Sequence, residues 1–267
     1  MIDGRTIALV DRLWRQHRVT LGVLAAGLAG FAFVITRVAP TPGDVGFLGG
    51  LMALLPPQIA ELAGGQLALA SPRGVIAFGY LHPFFLALLS AWTIRVSAGA
   101  LAGEIGRGTM DLLAARPVSR AAQVMAAWVA MTAGSAALAA AAWTGTAVGL
   151  GLRSLGVSGA DVSVLPVMTW LLFAAWGSVA LLVSATRREA GSAIAWTSGF
   201  IATAFVLEFL ARVWSPIGWA RPLSLFAYYR PPELLQQGVH LTDALVLAGV
   251  TVAALSAAVL VFRRRDL

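Results

Sequence analysis

The sequence predicts an all-α, polytopic membrane protein with six transmembrane helices. Three observations predict it: an apolar composition, six long apolar runs, and arginines gathered at the ends of those runs. Apolar residues make up 59% of the 267-residue chain and charged residues 12%, whereas soluble domains average about 45–50% and about 25%. The mean hydropathy is +0.82. We therefore expect lipid, not water, to cover much of the surface.

Each apolar run is long enough to cross a hydrocarbon core about 30 Å thick as a helix. Because the runs occupy so much of the chain, we expect one transmembrane domain over residues 1–267, without a separate soluble domain. The runs are Val19–Thr36, Val75–Ile94, Ala121–Leu150, Val162–Thr186, Ala190–Ala211 and Asp243–Phe262.

The arginines predict the orientation. The chain has 19 basic residues, all of them Arg. If the N-terminus is cytoplasmic, 13 of these arginines fall on the inner side, while the acids divide evenly. The positive-inside rule then favours two cytoplasmic termini, and Arg263–Arg265 after the last run is the clearest anchor. We expect a bacterial cytoplasmic (inner) membrane protein that does not bind nucleic acid, because the arginines are not clustered on one soluble face.

Residues 1–18 are predicted to form an amphipathic helix that lies in the cytoplasmic interface. Its apolar residues recur at helical spacing and its arginines lie off that stripe, a pattern typical of helices at anionic headgroups. A solvated helix packed on another subunit is the alternative. The apolar residues are Ile7, Val10, Leu13 and Trp14, and the arginines are Arg5, Arg12 and Arg15.

Two segments on the predicted outer side differ from simple linkers. Phe47–Leu55 and Gln58–Ala70 are too apolar for an aqueous loop and too short to cross, so we predict interfacial or partly re-entrant helices. Residues 214–238 carry Trp, Phe and Tyr among prolines. They predict an aromatic belt at the outer leaflet.

The inner loop between the second and third runs, Glu104–Arg120, is the most distinctive segment. Thr109 is placed to cap a short helix that Pro117 ends, and Ser119 is placed to cap the third run. Two adjacent leucines in the loop lack a membrane partner and suit a groove in a soluble protein. The loop is thus predicted to hold a short helix on the cytoplasmic face, joined rigidly to two membrane helices.

The order of residues in this loop resembles that in permeases of ATP-binding-cassette (ABC) transporters of the type-2 exporter class. An acid, Gly-Thr, two leucines and Pro-Val-Ser-Arg recur there in this order. Here they are Glu104, Gly108-Thr109, Leu112-Leu113 and Pro117-Val118-Ser119-Arg120. The resemblance covers the whole chain, from the basic first helix and six spans to Phe262-Arg263-Arg264-Arg265-Asp266-Leu267.

The resemblance implies that the loop at residues 104–120 holds a coupling helix that contacts a separate ABC ATPase subunit. Expected partners are ATPase subunits, a second permease copy or a paralogue, and the lipid bilayer. Ordinary positive-inside charge is the alternative reading of the loop. The residues expected at the ATPase contact are Glu104, Arg107, Gly108, Thr109, Asp111, Leu112, Leu113, Pro117, Ser119 and Arg120.

The sequence predicts no catalysis by this chain. It contains no Lys, so the phosphate-binding motif G-x-x-x-x-G-K-[ST] is absent. It also has no Cys, its three His are scattered, and no Gly-x-Ser-x-Gly occurs. We therefore expect no cofactor here, with ATP and Mg²⁺ bound by the partner ATPase.

Four polar residues in the spans are candidates to line a transport pathway. His82 precedes Pro83 in the second run, and the alternative is an interhelical histidine at a proline-loosened turn. Thr197 and Ser198 make the fifth run polar, although hydroxyls also serve helix packing in lipid. Glu208 lies four residues before Arg212, so an intrahelical ion pair is the alternative.

These features predict the permease subunit of an exporter that moves a hydrophobic or amphipathic substrate outward, such as a drug, antibiotic, lipid or peptide. A secondary transporter driven by an ion gradient is one alternative. It predicts conspicuous intramembrane acids or broken helices in paired positions. A membrane scaffold that anchors an ATPase is the other alternative.

Overall fold

The computed structural model describes residues 4–41, 71–110 and 118–265, which are helical and contain no strand. Six helices are long and apolar enough to cross a membrane, one for each predicted run. Both predictions, the all-α fold and the six spans, are confirmed. The α-helices are α1 Gly4–Val38, α2 Pro72–Leu81, α3 Pro83–Ala98, α4 Arg120–Gly151, α5 Val164–Thr186, α6 Ala190–Val213, α7 Pro231–Gln237 and α8 Leu241–Arg264.

The second span consists of several pieces in sequence. Helices α2 and α3 are followed by a π-helical stretch, Gly99–Gly103, and a short helical turn, Glu104–Gly106. Between α6 and α7 lie two 3-10 helices, Ser215–Leu223 and Leu225–Tyr228. The predicted helices at residues 47–55 and 58–70 lie outside the described residues.

Helix α1 joins the predicted interfacial helix to the first span without a break. No Pro lies within Gly4–Val38, and no Gly lies between Arg5 and Leu21, so nothing interrupts the backbone hydrogen bonds at the predicted boundary. At about 1.5 Å per residue, these 35 residues extend for about 52 Å. The N-terminal segment is therefore helical as predicted, but it is not a separate element.

Proline breaks the second span at His82–Pro83. The ψ of His82 is 133°, because the residue before a proline leaves the α region. The His82 side chain then caps α3, since its Nδ1 atom accepts a hydrogen bond from the Phe84 amide at 3.2 Å. The span is thereby divided into two helices, and the Phe84 amide at the beginning of α3 still has a hydrogen-bond acceptor.

Helix α5 lies at the centre of the bundle. It packs against α3, α4 and α8, and most of its residues are buried. Helix α1 packs along α4 at small residues: a Cβ atom on Gly145 would lie 2.1 Å from the Ala29 carbonyl oxygen, and one on Gly149 would lie 1.8 Å from Thr36 Oγ1. In lipid, such residues let backbones approach closely.

Helix α6 lies at the periphery of the described bundle. It contacts α3 and α5, but most of its surface is not covered by the other described residues. Trp196, Phe200 and Val206 are each about half exposed. For a helix in a membrane, such a face meets lipid or another membrane protein.

The side-chain contacts define two ends of the bundle. We name the end that carries Arg12, Glu104, Arg120, Arg187 and Arg265 the loop end, since hydrogen bonds connect these residues to one another or to adjoining helix ends. We name the opposite end, where α1 and α4 finish, the far end. The beginning of α1 and the end of α8 thus lie at the same end of the bundle. Which end faces the cytoplasm stays a prediction.

Candidate functional site

Glu104 is the centre of a polar cluster at the loop end. Its carboxylate is buried and accepts hydrogen bonds from Arg12 of α1 at 3.1 Å and from Arg107 at 3.0 Å. Thr109 donates its hydroxyl to the other carboxylate oxygen at 2.6 Å, and its amide donates to the Glu104 carbonyl oxygen at 3.0 Å. One carboxylate thus holds α1, the end of the second span and the beginning of the loop together.

The same turn packs against the connection between α5 and α6. A Cβ atom on Gly106 would lie 3.0 Å from the Arg188 carbonyl oxygen and 3.4 Å from the Glu189 Cα atom. Gly108 has a φ of +67°, in the left-handed region that favours glycine. Both glycines therefore let the loop leave the second span close to the first residues of α6.

Arg120 attaches the other end of the loop to α8. It begins α4, where Ser119 accepts a hydrogen bond from the Ala122 amide at 3.1 Å and confirms the predicted cap. The Arg120 guanidinium donates to the carbonyl oxygens of Phe262, Arg263 and Arg265. A cation at carbonyl groups that have no intrahelical partner is a favourable C-terminal cap.

Arg265 repeats this arrangement on α5. Its guanidinium donates to the carbonyl oxygens of Ala185 and Arg187, both at 2.8 Å. Burial lowers the pKa of Arg265, and the nearby Arg188 lowers it further. The loop is therefore joined through Arg120 to α8, and through Arg265 to the end of α5.

A hydroxyl from α5 opens the backbone of the second span above Glu104. In the π-helical stretch, the Ala102 amide donates to Ser184 Oγ at 3.0 Å, and Ser184 donates to the Ala98 carbonyl oxygen at 3.4 Å. These two backbone groups would bond directly in an α-helix. Ser184 is thus inserted between them, and inserted side chains of this kind bend or loosen helices.

A groove of about 370 Å³ lies between α3 and α6. Its walls are apolar apart from two serine hydroxyls, and Phe226 closes it near the far end. It runs from Pro83 and Phe205 at that end to Ile94 and Ser198 toward the loop end. The lining residues are Pro83, Leu86, Ala87, Ser90, Ala91, Ile94, Ser198, Ile201, Ala202, Phe205 and Phe226.

The four predicted pathway residues occupy different places. Ser198 lines the groove, whereas its neighbour Thr197 is buried. His82 lies outside the groove, where it caps α3 and its ring lies 5.3 Å from that of Phe31. Glu208 is buried near the far end and accepts from Arg212 at 2.6 Å, the intrahelical pair weighed above. A substrate contact by any of the four stays a prediction.

The far end is held by ion pairs that cross between elements. Glu208 also accepts from Arg221 of the first 3-10 helix at 3.1 Å. Arg230 pairs with Glu233, and with Asp243 of α8 at 2.6 Å. Burial lowers the pKa of Arg230, but the hydrogen bond and charge of Asp243 outweigh it, so the pKa lies above its usual value.

The predicted aromatic belt at residues 214–238 holds only in part. Trp214 and Trp219 are exposed, at 57% and 76%, as a belt requires. Phe226 and Tyr229 are buried instead. The Tyr229 hydroxyl shares a hydrogen bond with Thr169 at 2.8 Å, and burial raises the pKa of Tyr229. Part of this segment therefore packs onto the far end of the bundle and does not face the lipid interface.

Several predicted loop residues cannot be placed against this geometry. Asp111, Leu112, Leu113 and Pro117 lie outside the described residues. Of the others, Glu104, Arg107 and Thr109 meet in one cluster, while Arg120 lies against α8. Among the described residues, no group of three His, Asp or Glu side chains is placed to hold a metal ion.

Sequence reasoning missed three residues that organise the loop end. From the sequence, Arg12 and Arg265 are expected only to contribute positive-inside charge, and no pattern indicates a role for Ser184. Their partners lie between 78 and 92 residues away in sequence, so no local spacing indicates them. One sequence feature does point to this region. Glu104 is an acid at the end of a membrane span, where a buried carboxylate is expected to have a charged partner.

Comparison with known proteins agrees with this architecture. A family model of ABC-2 family transporter proteins matches residues 55–267. A search of curated proteins finds no match. The matched residues include the described loop flanks, both walls of the groove and five of the six spans. The chain therefore belongs to the ABC-2 family of transporter proteins, and its role is that of a membrane-embedded permease.

Proposed function

We propose that this permease is the membrane subunit of an ATP-driven exporter, and that separate ABC ATPase subunits act on the loop at residues 104–120. The Glu104 cluster carries the proposal. It attaches the loop to α1 and to the second span, and the second span forms one wall of the groove. A force on the loop is thereby transmitted to α3.

The other end of the loop supports the same mechanism. Arg120 is bonded to the end of α8, and Arg265 is bonded to the end of α5. Gly106 lies against Arg188 and Glu189, directly before α6. A movement of the loop therefore reaches both walls of the groove, because α6 forms the second wall.

The arginines support a cytoplasmic loop end. At the far end, Arg153 caps α1, and Arg212, Arg221 and Arg230 pair with acids. At the loop end, the exposed side chains of Arg18, Arg188, Arg263 and Arg264 make no ion pair with the described residues. Two further far-end arginines, Arg37 and Arg73, are exposed and form no ion pair with the described residues. Exposed arginines without an ion pair are therefore more numerous at the loop end, as the positive-inside rule expects of a cytoplasmic face.

The groove and α6 support transport at an interface between two permease chains. The groove is open at one side, and the exposed Trp196, Phe200 and Val206 continue the surface of α6 beside it. A second copy or a paralogue facing this surface would enclose the groove. Export of an apolar or amphipathic substrate then requires the α3–α6 gap to change during the ATPase cycle.

The buried acids argue against a transporter driven by an ion gradient. Glu104, Glu208 and Asp243 are the buried carboxylates among the described residues, and each accepts from at least one Arg. A carboxylate that already pairs with a fixed guanidinium has no free negative charge to offer a transported ion. No acid lines the groove.

Copurification tests the coupling part of the proposal. We expect Leu112→Glu with Leu113→Glu to abolish copurification with the ATPase subunit, because both charges would face an apolar contact. Leu152→Glu is a matched control, since Leu152 is 64% exposed at the far end. Full recovery of the complex from the double variant would contradict the proposed coupling helix.

Inside-out vesicles test the direction. ATP added outside such vesicles reaches the cytoplasmic face, so an exporter accumulates substrate in the lumen. We expect these vesicles to take up substrate when ATP is present and to take up none when ATP is omitted. Uptake that persists without ATP and follows an imposed ion gradient would instead support a secondary transporter.

A further inference from the structure

Arg95 carries an unpaired charge within the second membrane span. Its side chain on α3 is exposed, and no described residue forms a hydrogen bond or ion pair with its guanidinium. His17 of α1 interacts with it electrostatically but supplies no negative charge. A guanidinium in a span is costly unless an anion, water or a headgroup meets it. The group that meets the Arg95 guanidinium, whether an anion, a headgroup or water, therefore lies outside the described residues.

Arg95 lies at the loop-end limit of the groove. Ala87 and Ala91 are exposed, line the groove, and lie one helical turn apart. Arg95 follows Ala91 by one more turn on the same stripe of α3. It also directly follows Ile94, the last groove residue of that helix. The apolar groove thus ends at a positive charge.

The dimensions of the groove suit an extended apolar chain. From Pro83 to Ile94, its α3 wall extends for about 16 Å along the helix axis. The opposite wall begins at Ser198, and one turn nearer the loop end Ile194 is 43% exposed. The apolar surface therefore continues on α6 to the level of Arg95.

We propose that the groove between α3 and α6 binds an anionic amphiphile, with its apolar tail between the two helices and its phosphate or carboxylate head at Arg95. This inference rests on the proposed function and names its substrate class. In the proposed orientation, Arg95 lies in the half of the span nearer the cytoplasm. The ligand then enters from the inner leaflet, where its headgroup meets the guanidinium and its tail enters the groove.

Equilibrium binding of labelled dodecyl phosphate to the full-length chain in neutral detergent tests the site without the ATPase. We expect Arg95→Gln to weaken binding roughly ten-fold or more, because a charge-assisted contact is lost. Arg95→Lys is expected to restore part of it. Arg18→Gln is the matched control, since Arg18 is an exposed arginine near the loop end that lies on α1. It should bind as the unchanged protein does.

A second pair of variants tests occupancy of the groove. Ala91→Trp places a ring in the groove and should weaken binding as strongly as Arg95→Gln does. Ala26→Trp is its control, because Ala26 is exposed on α1 away from the groove. If Ala91→Trp does not fold, as judged by gel filtration, Ala87→Leu fills the same groove with a smaller side chain.

Four results would overturn the inference. If dodecyl phosphate binds Arg95→Gln as tightly as it binds the unchanged protein, Arg95 is not the site of the anionic head. An equal loss in Arg18→Gln would indicate a general surface-charge effect. Undiminished binding to both groove-filling variants would place the tail outside the groove. Inorganic phosphate that binds as tightly as dodecyl phosphate would exclude a role for the tail. Because the ATPase is absent from this assay, its outcome is independent of the copurification experiment.

Discussion

Glu104→Gln removes the negative charge from the loop-end cluster and preserves the shape of the side chain. The carboxylate is 5% exposed and holds Arg12, Arg107 and Thr109 at 3.1, 3.0 and 2.6 Å. The variant keeps one oxygen that can accept, either from the two arginines, which share Oε1, or from Thr109, which bonds to Oε2. Its effect therefore reports the charge and not the packing of the loop.

The expected loss follows from the exposure of each partner. The Arg12 and Arg107 side chains are 46% and 52% exposed, so water screens both pairs and each contributes at most about 1 kcal/mol. The short bond from Thr109 to a buried carboxylate contributes about 1.5–3 kcal/mol, of which an amide oxygen retains roughly half. Glu104→Gln should lower the free energy of unfolding by about 2 kcal/mol, and Glu104→Ala by about 3–4 kcal/mol.

Two assays separate stability from coupling. Thermal unfolding in detergent can be followed by intrinsic fluorescence, since the chain contains nine Trp. A loss of about 2 kcal/mol corresponds to a decrease in Tm of roughly 4–8 °C. In the complex with the ATPase, the variant should hydrolyse ATP while transporting less substrate per ATP, because the loop is no longer firmly attached to α1.

Glu189→Gln is the matched control for both assays. Glu189 lies at the same end but is exposed and has no ion pair among the described residues, so its effect should stay within about 0.5 kcal/mol. Normal transport by Glu104→Gln together with an unchanged Tm would contradict the role assigned to this carboxylate. An equal loss in Glu189→Gln would also refute it, since the loss would then reflect net charge.

Three further predictions concern the packing around the spans: thermal unfolding in detergent tests the first two, and transport measured together with the Tm tests the third. Arg153→Gln should destabilise the protein by about 2 kcal/mol, because the guanidinium donates to three carbonyl oxygens at the end of α1, at 2.8–3.1 Å; an unchanged Tm would contradict this cap. Gly134→Ala should cost about 1–3 kcal/mol, since its Cβ atom would lie 2.0 Å from a ring carbon of Trp92. Gly22→Ala, with nothing within 4 Å, should be neutral or stabilising, and equal losses at the two glycines would exclude steric contact as the cause. Ser184→Ala should let the π-helical stretch relax toward an α-helix, with reduced transport at a nearly unchanged Tm; normal transport would show that the inserted hydroxyl has no mechanical role.

The six spans could be predicted because their signal is local. Length and hydropathy alone locate a helix that must satisfy its own backbone in lipid. The second span is longer than the predicted apolar run, Val75–Ile94, after which Arg95 and a less apolar stretch continue to Gly103. The helix continues to Gly106, since Ser184 supplies hydrogen bonds where the backbone widens. Arg95 therefore lies within the span and not at its end.

The functional site could be predicted only where its contacts are local. The cap at Ser119 and the pair of Glu208 with Arg212 span three and four residues, and both are confirmed. The partners of Arg120, 142–145 residues away, are fixed by the arrangement of the helices. Counting arginines gives the charge asymmetry, but it does not show which of them cap helices. Arg120, Arg153 and Arg265 each do so.

In the proposed mechanism, the ATPase acts through the loop at residues 104–120 on the gap between α3 and α6. The chain contains no Cys, so spin labels can be attached through Ala91→Cys and Ala202→Cys on the two walls of the groove. In the complex with the ATPase, pulsed electron paramagnetic resonance should show an ATP-dependent change in the distance between the labels. The same change should be lost in Glu104→Ala. A distance distribution that is identical with and without ATP in the transport-competent complex would contradict the account.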